Sequence, residues 1–126
     1  MKEIISKLIE IEKETSQEKG AYDLFALFLR EDSSGKWDIL VAADWITTNK
    51  EDALKYLGAS IQKKLAPKEF LLISRIVIIE ESNPALPALQ QAFSIEHGAA
   101  EIKDSNFFGL QIKHAFLITS KRRQAA

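Results

Sequence analysis

The chain has 126 residues, 46% of them hydrophobic and 28% charged, which fits a single domain over residues 1–126 and excludes disordered and low-complexity classes. A net charge of -1 provides no global attraction for nucleic acid or anionic lipid, and the lack of cysteine excludes disulfides and thiol chemistry. The charged N-terminus is unlike a signal peptide, and no apolar run reaches the ~20 residues of a membrane span. We therefore expect a cytoplasmic protein with no membrane partner.

The first predicted elements are an amphipathic helix and a β-hairpin. Residues 2–14 place isoleucine and leucine at helical spacing between lysines and glutamates. The apolar runs 22–30 and 36–45 are separated by a short loop containing Gly35, which is typical of two antiparallel strands. Since both sides of the first strand are apolar, we expect it to be central, or to meet a second layer or a second copy of the chain.

The run 36–45 is the segment around which we expect the fold to be organised. Read as one strand, it places Trp37 and Trp45 on one side and Asp38 and Asp44 on the other. A capping box over residues 48–51 then predicts the start of a helix whose apolar positions continue to residue 65.

The second half of the chain adds three strands and a helix. Residues 71–79 are the most β-branched run and predict a buried strand in the interior of the sheet. Pro84 opens a third helix, and residues 99–104 and 107–119 predict two strands joined by a turn at Ser105–Asn106. The predicted fold class is α+β: an antiparallel or mixed sheet of about five strands with three helices, in the order αββαβαββ.

No motif in the sequence specifies a chemistry. His97, Glu101 and Asp104 lack the spacing of a zinc site, and the glycines form no phosphate-binding loop. His114 lies on the apolar face of the last strand, where we interpret it as a hydrogen-bonded core or edge histidine rather than a general base. We therefore expect no catalytic residue, no metal and no cofactor.

The candidate binding residues combine aromatic rings and positive charge: Lys36, Trp37, Trp45, Arg75, Lys113 and His114. The two tryptophans fit core or dimer packing, and beside Lys36 and Lys113 they also fit a surface on which bases stack. Arg75 needs an acidic partner such as Asp38, Asp44 or Glu80 if it is buried, or else lies near the wet end of its strand. Residues 121–126 predict a frayed basic tail.

Three segments carry a resemblance to a known family: residues 36–46, residues 74–77 and residues 109–120. Over nearly the whole chain, the sequence resembles a family of small uncharacterised cyanobacterial proteins. The resemblance implies a fold similar to that of Whirly-type single-stranded-DNA-binding transcriptional regulators, which dimerise and bind strands across β-sheet surfaces. No functional residue is carried over, because the Lys-Gly-Lys-Ala motif of Whirly proteins is missing.

The sequence favours a non-enzymatic binding or regulatory protein that functions as a homodimer, with single-stranded nucleic acid as its ligand. We expect a dimer because the two-sided apolar strands need more cover than three helices provide. One alternative is a small-molecule binding domain or minor enzyme with a pocket at the sheet edge near Arg75, His97 and His114. Another is a protein interaction module.

Overall fold

The structure is a computed structural model that describes residues 1–122. Its helices are α1 (Lys2–Lys19), α2 (Asp44–Thr48), α3 (Lys50–Lys64), α4 (Pro67–Phe70) and α5 (Ala85–Ala92), and its strands are β1 (Leu24–Arg30), β2 (Trp37–Ala42), β3 (Ile73–Ile78), β4 (Ala100–Phe107) and β5 (Leu110–Ser120). The α+β class is confirmed, but the described part of the chain has five helices instead of three, so the predicted order αββαβαββ is wrong and the observed order is αββαααβαββ. None of these helices combines the length and apolar character needed to cross a membrane. Residues 123–126 of the predicted tail lie outside the described range.

The strands form one mixed sheet in the order β3-β2-β1-β5-β4. Neighbouring strands are antiparallel except β2 and β3, which are parallel. A parallel pair needs a long crossover, and the connection through α2, α3 and α4 provides it. The prediction of an antiparallel or mixed sheet of about five strands is confirmed, and of the alternatives for β1 the structure has the central position.

Both faces of the β1–β2 hairpin are covered by the chain itself. On one face, α1 and α3 pack against alternate residues of the two strands, and on the other face α5 and the β4–β5 hairpin do so. From Leu24 to Phe28 every side chain has 0% exposure. The expectation that the two-sided apolar strands need more cover than the helices of one chain provide is therefore wrong, and a homodimer needs a different contact surface.

The position of β3 also differs from the sequence prediction. Residues 71–79 are predicted as a buried strand in the interior of the sheet, which is wrong, because β3 lies at an edge and none of the residues Ile73–Ile78 is buried. Ile76 and Ile78 pack on the α1–α3 side and Val77 on the other, so the β-branched run reflects partly buried apolar side chains on both faces. Whether a second strand pairs with its outer edge depends on strand order, which the run does not encode.

The run 36–45 is only partly a strand. β2 ends at Ala42, and Asp44 and Trp45 belong to α2, so Trp45 does not share a strand face with Trp37. The helical turn allows Ile46 to become fully buried. It also allows Nε1 of Trp45 to donate a hydrogen bond to the Gly20 carbonyl oxygen at 2.9 Å. These interactions explain why the chain leaves the sheet earlier than its alternation predicts.

The predicted capping box at residues 48–51 is replaced by a different cap. Asn49 is the N-cap of α3, and its Oδ1 accepts a hydrogen bond from the Asp52 backbone N–H at 3.1 Å. Thr48 is already the last residue of α2, where its hydroxyl donates to the Asp44 carbonyl. The extra helical turn therefore moves the helix start by one residue.

The last hairpin turns at Phe108 and Gly109 rather than at Ser105–Asn106. Phe107 pairs with Leu110, and the two residues between them have φ values of 55° and 75°. Positive φ at both positions gives the twist that suits a two-residue hairpin, and glycine adopts it without strain. The tip of this hairpin packs on Phe28, with ring centroids 5.8 and 6.2 Å apart for Phe107 and Phe108.

Candidate functional site

Trp37 lies in the core instead of on an open surface. Its side chain is 5% exposed, and its ring packs against the rings of His114 and Phe116 with centroids 5.5 and 5.7 Å apart. Nε2 of His114 is 2.5 Å from Oε2 of Glu101 on the neighbouring strand, which fits the interpretation of a hydrogen-bonded histidine. Stacking of a base requires an exposed ring face, and Trp37 has none in this arrangement.

Trp45 is half-buried and packs edge-on against other rings. Its centroid lies 5.6 Å from that of Tyr22 and 5.9 Å from that of Tyr56. Of the other predicted binding residues, Lys36 and Lys113 are exposed. The two lysines are thus accessible, but the two tryptophans do not form an open platform between them.

Arg75 is part of a charge network across three neighbouring strands. Asp38 on β2 is 1% exposed, and its Oδ2 accepts hydrogen bonds from Nε of Arg30 at 2.8 Å and from Nη2 of Arg75 at 3.3 Å. The Arg75 side chain is 52% exposed. Arg75 therefore has both an acidic partner and contact with solvent, and a buried carboxylate neutralises part of the charge at the β3 edge.

Arg75, His97 and His114 do not line one pocket. β1 and β2 lie between the strands that carry Arg75 and His114, which separates these strands by roughly 14 Å. The backbone N–H of His97 donates to the Thr119 hydroxyl, five residues along β5 from His114 and so roughly 17 Å away. A cleft of about 440 Å³ between α1 and α3 is lined by none of the three.

Sequence reasoning missed a buried carboxylate on α1. Glu12 has 0% exposure, and its Oε1 contacts Nδ1 of His97 while its Oε2 accepts a hydrogen bond from the Thr119 hydroxyl at 3.0 Å. Nε2 of His97 lies instead 4.0 Å from Oε2 of Glu96, and the His97 side chain is 38% exposed. In many catalytic and metal-binding histidines, a carboxylate contacts one imidazole nitrogen and thereby orients the ring, while the other nitrogen stays accessible to a substrate or metal.

The residues considered as a metal cluster from the sequence have separate partners. His97 contacts Glu12, whereas Glu101 contacts His114. Neither Glu101 nor Asp104 belongs to the cluster of carboxylates that the structure forms in the described range.

Asp23, Asp44 and Glu81 form an acidic cluster, with carboxylate oxygens within 4.8 Å of one another. All three lie where β2 and β3 end and β1 begins. A hydrogen bond with Asp44, partial burial and the neighbouring negative charges raise the pKa of Glu81 to about 7. This spacing would suit oxygen ligation of a divalent cation, and it concentrates negative charge at one end of β3.

The β3 edge surface consists of residues 70–78. Phe70, Leu71 and Leu72 are 36%, 68% and 40% exposed. The Ile79 N–H donates to the Val41 carbonyl oxygen on β2 at 2.8 Å, and backbone groups alternate in direction along a strand. The N–H and carbonyl groups of Ile76 and Ile78 therefore point outward, away from β2.

The two ends of the β3 edge surface carry opposite charge. At its start, Lys68 lies in α4, and Lys36 precedes Trp37, whose N–H donates to the Leu72 carbonyl oxygen at 2.8 Å. Neither lysine forms an ion pair with any residue in the described range. The acidic cluster lies at the other end. The surface is thus basic where β3 begins and acidic where it ends.

Comparison of the chain with family models, curated proteins and solved structures gives no match in any of the three. The resemblance to the cyanobacterial family and to the Whirly-type fold stays a prediction.

Two of the missed features have a signal in the sequence. Glu12 is four residues after Leu8 and therefore falls within the apolar stripe of α1. Asp44 and Glu81 each closely follow one of two strands that turn out to be parallel, and such strands end at the same side of a sheet. The open edge of β3 has no comparable signal, because it follows from strand order alone.

Proposed function

We propose that this protein is a non-enzymatic binding or regulatory protein of the cytoplasm that functions as a homodimer, with the β3 edge surface as its contact. The observation that carries the proposal is the row of outward N–H and carbonyl groups at Ile76 and Ile78 beside three exposed apolar side chains, Phe70, Leu71 and Leu72. An open strand edge of this kind is a template for pairing with another extended chain.

Exposure of the apolar side chains supports the same surface. Single exposed apolar residues are ordinary, but a contiguous apolar patch marks an interaction site. Leu71 is the most exposed of the large hydrophobic residues in the described range, at 68%, and its neighbours Phe70 and Leu72 are also exposed. The patch continues directly into the edge of β3, so a single partner can cover both.

Sedimentation of three purified proteins tests the proposal. We expect the wild type to sediment as a dimer at micromolar concentration, and Leu71→Asp to sediment as a folded monomer because a charge replaces the exposed apolar side chain. Leu54→Asp is the matched control, since Leu54 is 38% exposed on α3 and outside the proposed surface, and it should remain dimeric. A wild type that stays monomeric at high micromolar concentration would overturn the proposal.

Single-stranded nucleic acid is the ligand that the sequence resemblance predicts, and it stays part of the proposal as a ligand of the dimer. Exposed Lys36 and Lys113 favour it, whereas the buried ring of Trp37 favours a protein contact as the primary activity. Salt-sensitive retention of a labelled oligonucleotide, weakened in Lys36→Glu and in Lys113→Glu, is the expected result. No retention at low salt would remove this ligand and leave a protein interaction module.

The second candidate function is a small-molecule site or minor enzyme at His97. Its specific support is the buried Glu12 carboxylate, which holds Nδ1 of a half-exposed imidazole. A thermal-shift screen against metabolites separates the two functions. A compound that stabilises the wild type but not His97→Ala would favour this candidate, whereas no stabilising compound would leave the β3 edge surface as the working site.

A further inference from the structure

The cleft of about 440 Å³ between α1 and α3, here called the α1–α3 cleft, has the size of a small-molecule site. Its polar walls are formed by Glu14 and Glu18 of α1 and by Tyr56, Ser60, Lys63 and Lys64 of α3. We propose that this cleft binds a peptide of two or three residues with free termini, whose ammonium group contacts Glu18 and whose carboxylate contacts Lys63. None of residues 70–78 lines the cleft, so this site is independent of the proposed homodimer.

Helical spacing places groups of different character on the two walls. Glu14 and Glu18 are four residues apart on α1 and therefore share one face of that helix. On α3, Tyr56, Ser60 and Lys63 follow one another at positions i, i+4 and i+7, which also lie on one face. The wall from α1 is thus acidic, and the wall from α3 carries hydroxyl groups and positive charge.

Two of the charged side chains that line the cleft lack an ion-pair partner in the described part of the chain. Nζ of Lys64 lies 3.1 Å from Oε2 of Glu10 and 3.0 Å from Oε1 of Glu14, so it already has acidic partners. Glu18 and Lys63, by contrast, form no ion pair among residues 1–122. A ligand with one positive and one negative group would compensate both charges.

The positions of these two charges determine the length of the ligand. Burial, followed by the charge of Glu18 and a hydrogen bond with it, raises the pKa of the Tyr56 hydroxyl, which places Glu18 beside Tyr56. Lys63 is seven residues further along α3 than Tyr56, roughly 10 Å along the helix axis. An extended peptide advances roughly 3.3–3.6 Å per residue, so two or three residues bridge this distance. The long side chain of Lys63 can adjust to either length.

The middle of the cleft suits a peptide backbone. Ser60 lies between Tyr56 and Lys63, and its hydroxyl donates a hydrogen bond to the Tyr56 carbonyl oxygen at 2.9 Å. The Ser60 oxygen can therefore still accept a hydrogen bond from a peptide N–H. Ile11, which is 1% exposed, provides an apolar contact for a small side chain. A peptide uses these contacts, whereas a simple ω-amino acid has no N–H group to offer Ser60.

Calorimetric titration of the full chain with trialanine tests the site. We expect saturable binding at millimolar concentration that weakens about fivefold in Glu18→Gln and in Lys63→Gln, the size expected for an exposed ion pair. Glu3→Gln and Lys13→Gln on α1 are the matched controls, because both residues are exposed and neither lines the cleft. The controls should leave the affinity unchanged. A folded wild type that does not bind trialanine overturns the proposal, as does equal weakening by the controls.

Blocked peptides assign each end of the ligand to its residue. N-acetyl-trialanine lacks the ammonium group, so it should bind equally to the wild type and Glu18→Gln but still lose affinity in Lys63→Gln. Trialanine amide lacks the carboxylate and should show the opposite pattern. A blocked peptide that binds the wild type as tightly as trialanine does overturns the contact assigned to that end.

A third probe distinguishes a peptide from another molecule with the same end groups. 6-Aminohexanoate carries an ammonium group and a carboxylate at a comparable spacing but has no peptide N–H for Ser60. We expect it to bind at least about fivefold more weakly than trialanine, because it lacks the hydrogen bond to Ser60. Binding as tight as that of trialanine would assign the cleft to ω-amino acids and overturn the peptide as its ligand.

Discussion

The two edges of the sheet are built in different ways. Along β4, Glu101, Lys103 and Asp104 are exposed charges, and Asp104 has a positive φ of 49°. Exposed charges are a usual means by which proteins prevent another strand from pairing with an edge. β4 therefore has the features of a protected edge.

β3 has few of these features. Its single charged side chain, Arg75, is bound to the buried carboxylate of Asp38 on the neighbouring strand. The pairing of β3 with β2 has a register shift between Trp37 and Asp38, near the first residues of β3. From Arg75 to Ile78 the pairing is regular. We therefore expect a second strand to pair with the edge of β3 more readily than with the edge of β4.

The largest expected difference between the edges lies in their charge networks. Asp38→Asn should lower the free energy of unfolding by about 2 kcal/mol, because Arg30 and Arg75 lose a buried partner and only Arg75 is well solvated. Glu101→Gln should cost less than about 1 kcal/mol, since its contact with His114 is exposed. Urea unfolding of both variants measures this, and equal costs would contradict the comparison.

Amide hydrogen exchange sharpens the comparison at the backbone. If β3 is the paired edge, the amides of Ile76 and Ile78 should exchange at least about tenfold more slowly at concentrations where the dimer forms than in the Leu71→Asp monomer. The outward amides of β4 should exchange at the same rate in both. Exchange at Ile76 that does not depend on concentration would show that the edge of β3 is not the contact.

The smallest expected effect is a pH dependence from Glu81. Its pKa is raised from 4.5 to about 7 in the folded chain. Between these values the unfolded chain releases a proton that the folded chain keeps, so stability falls as the pH rises toward 7 and then levels off. Glu81→Gln should therefore raise Tm relative to the wild type at pH 8 and have no such effect at pH 4.5.

Local pattern predicted much of the fold but little of the candidate site. The apolar periodicity of α1, α3 and β1 shows which sides of each element are buried. This signal repeats with every turn of a helix and along every strand, so it can be read from the sequence. Glu12 and His97 are 85 residues apart and meet only because α1 packs over the end of β5. Asp44 joins the acidic cluster only because the chain turns into α2 after β2.

The sequence by itself determined the apolar pattern of single elements: the two apolar sides of β1 and the helical stripes of α1 and α3 can be read from the spacing of apolar and polar residues. Only the tertiary structure decided which strands lie at the edges of the sheet and which charged side chains come into contact. The physical reason is that hydrophobic burial is non-directional and leaves its record in composition, whereas the pairing of a strand edge depends on strand order across the whole sheet.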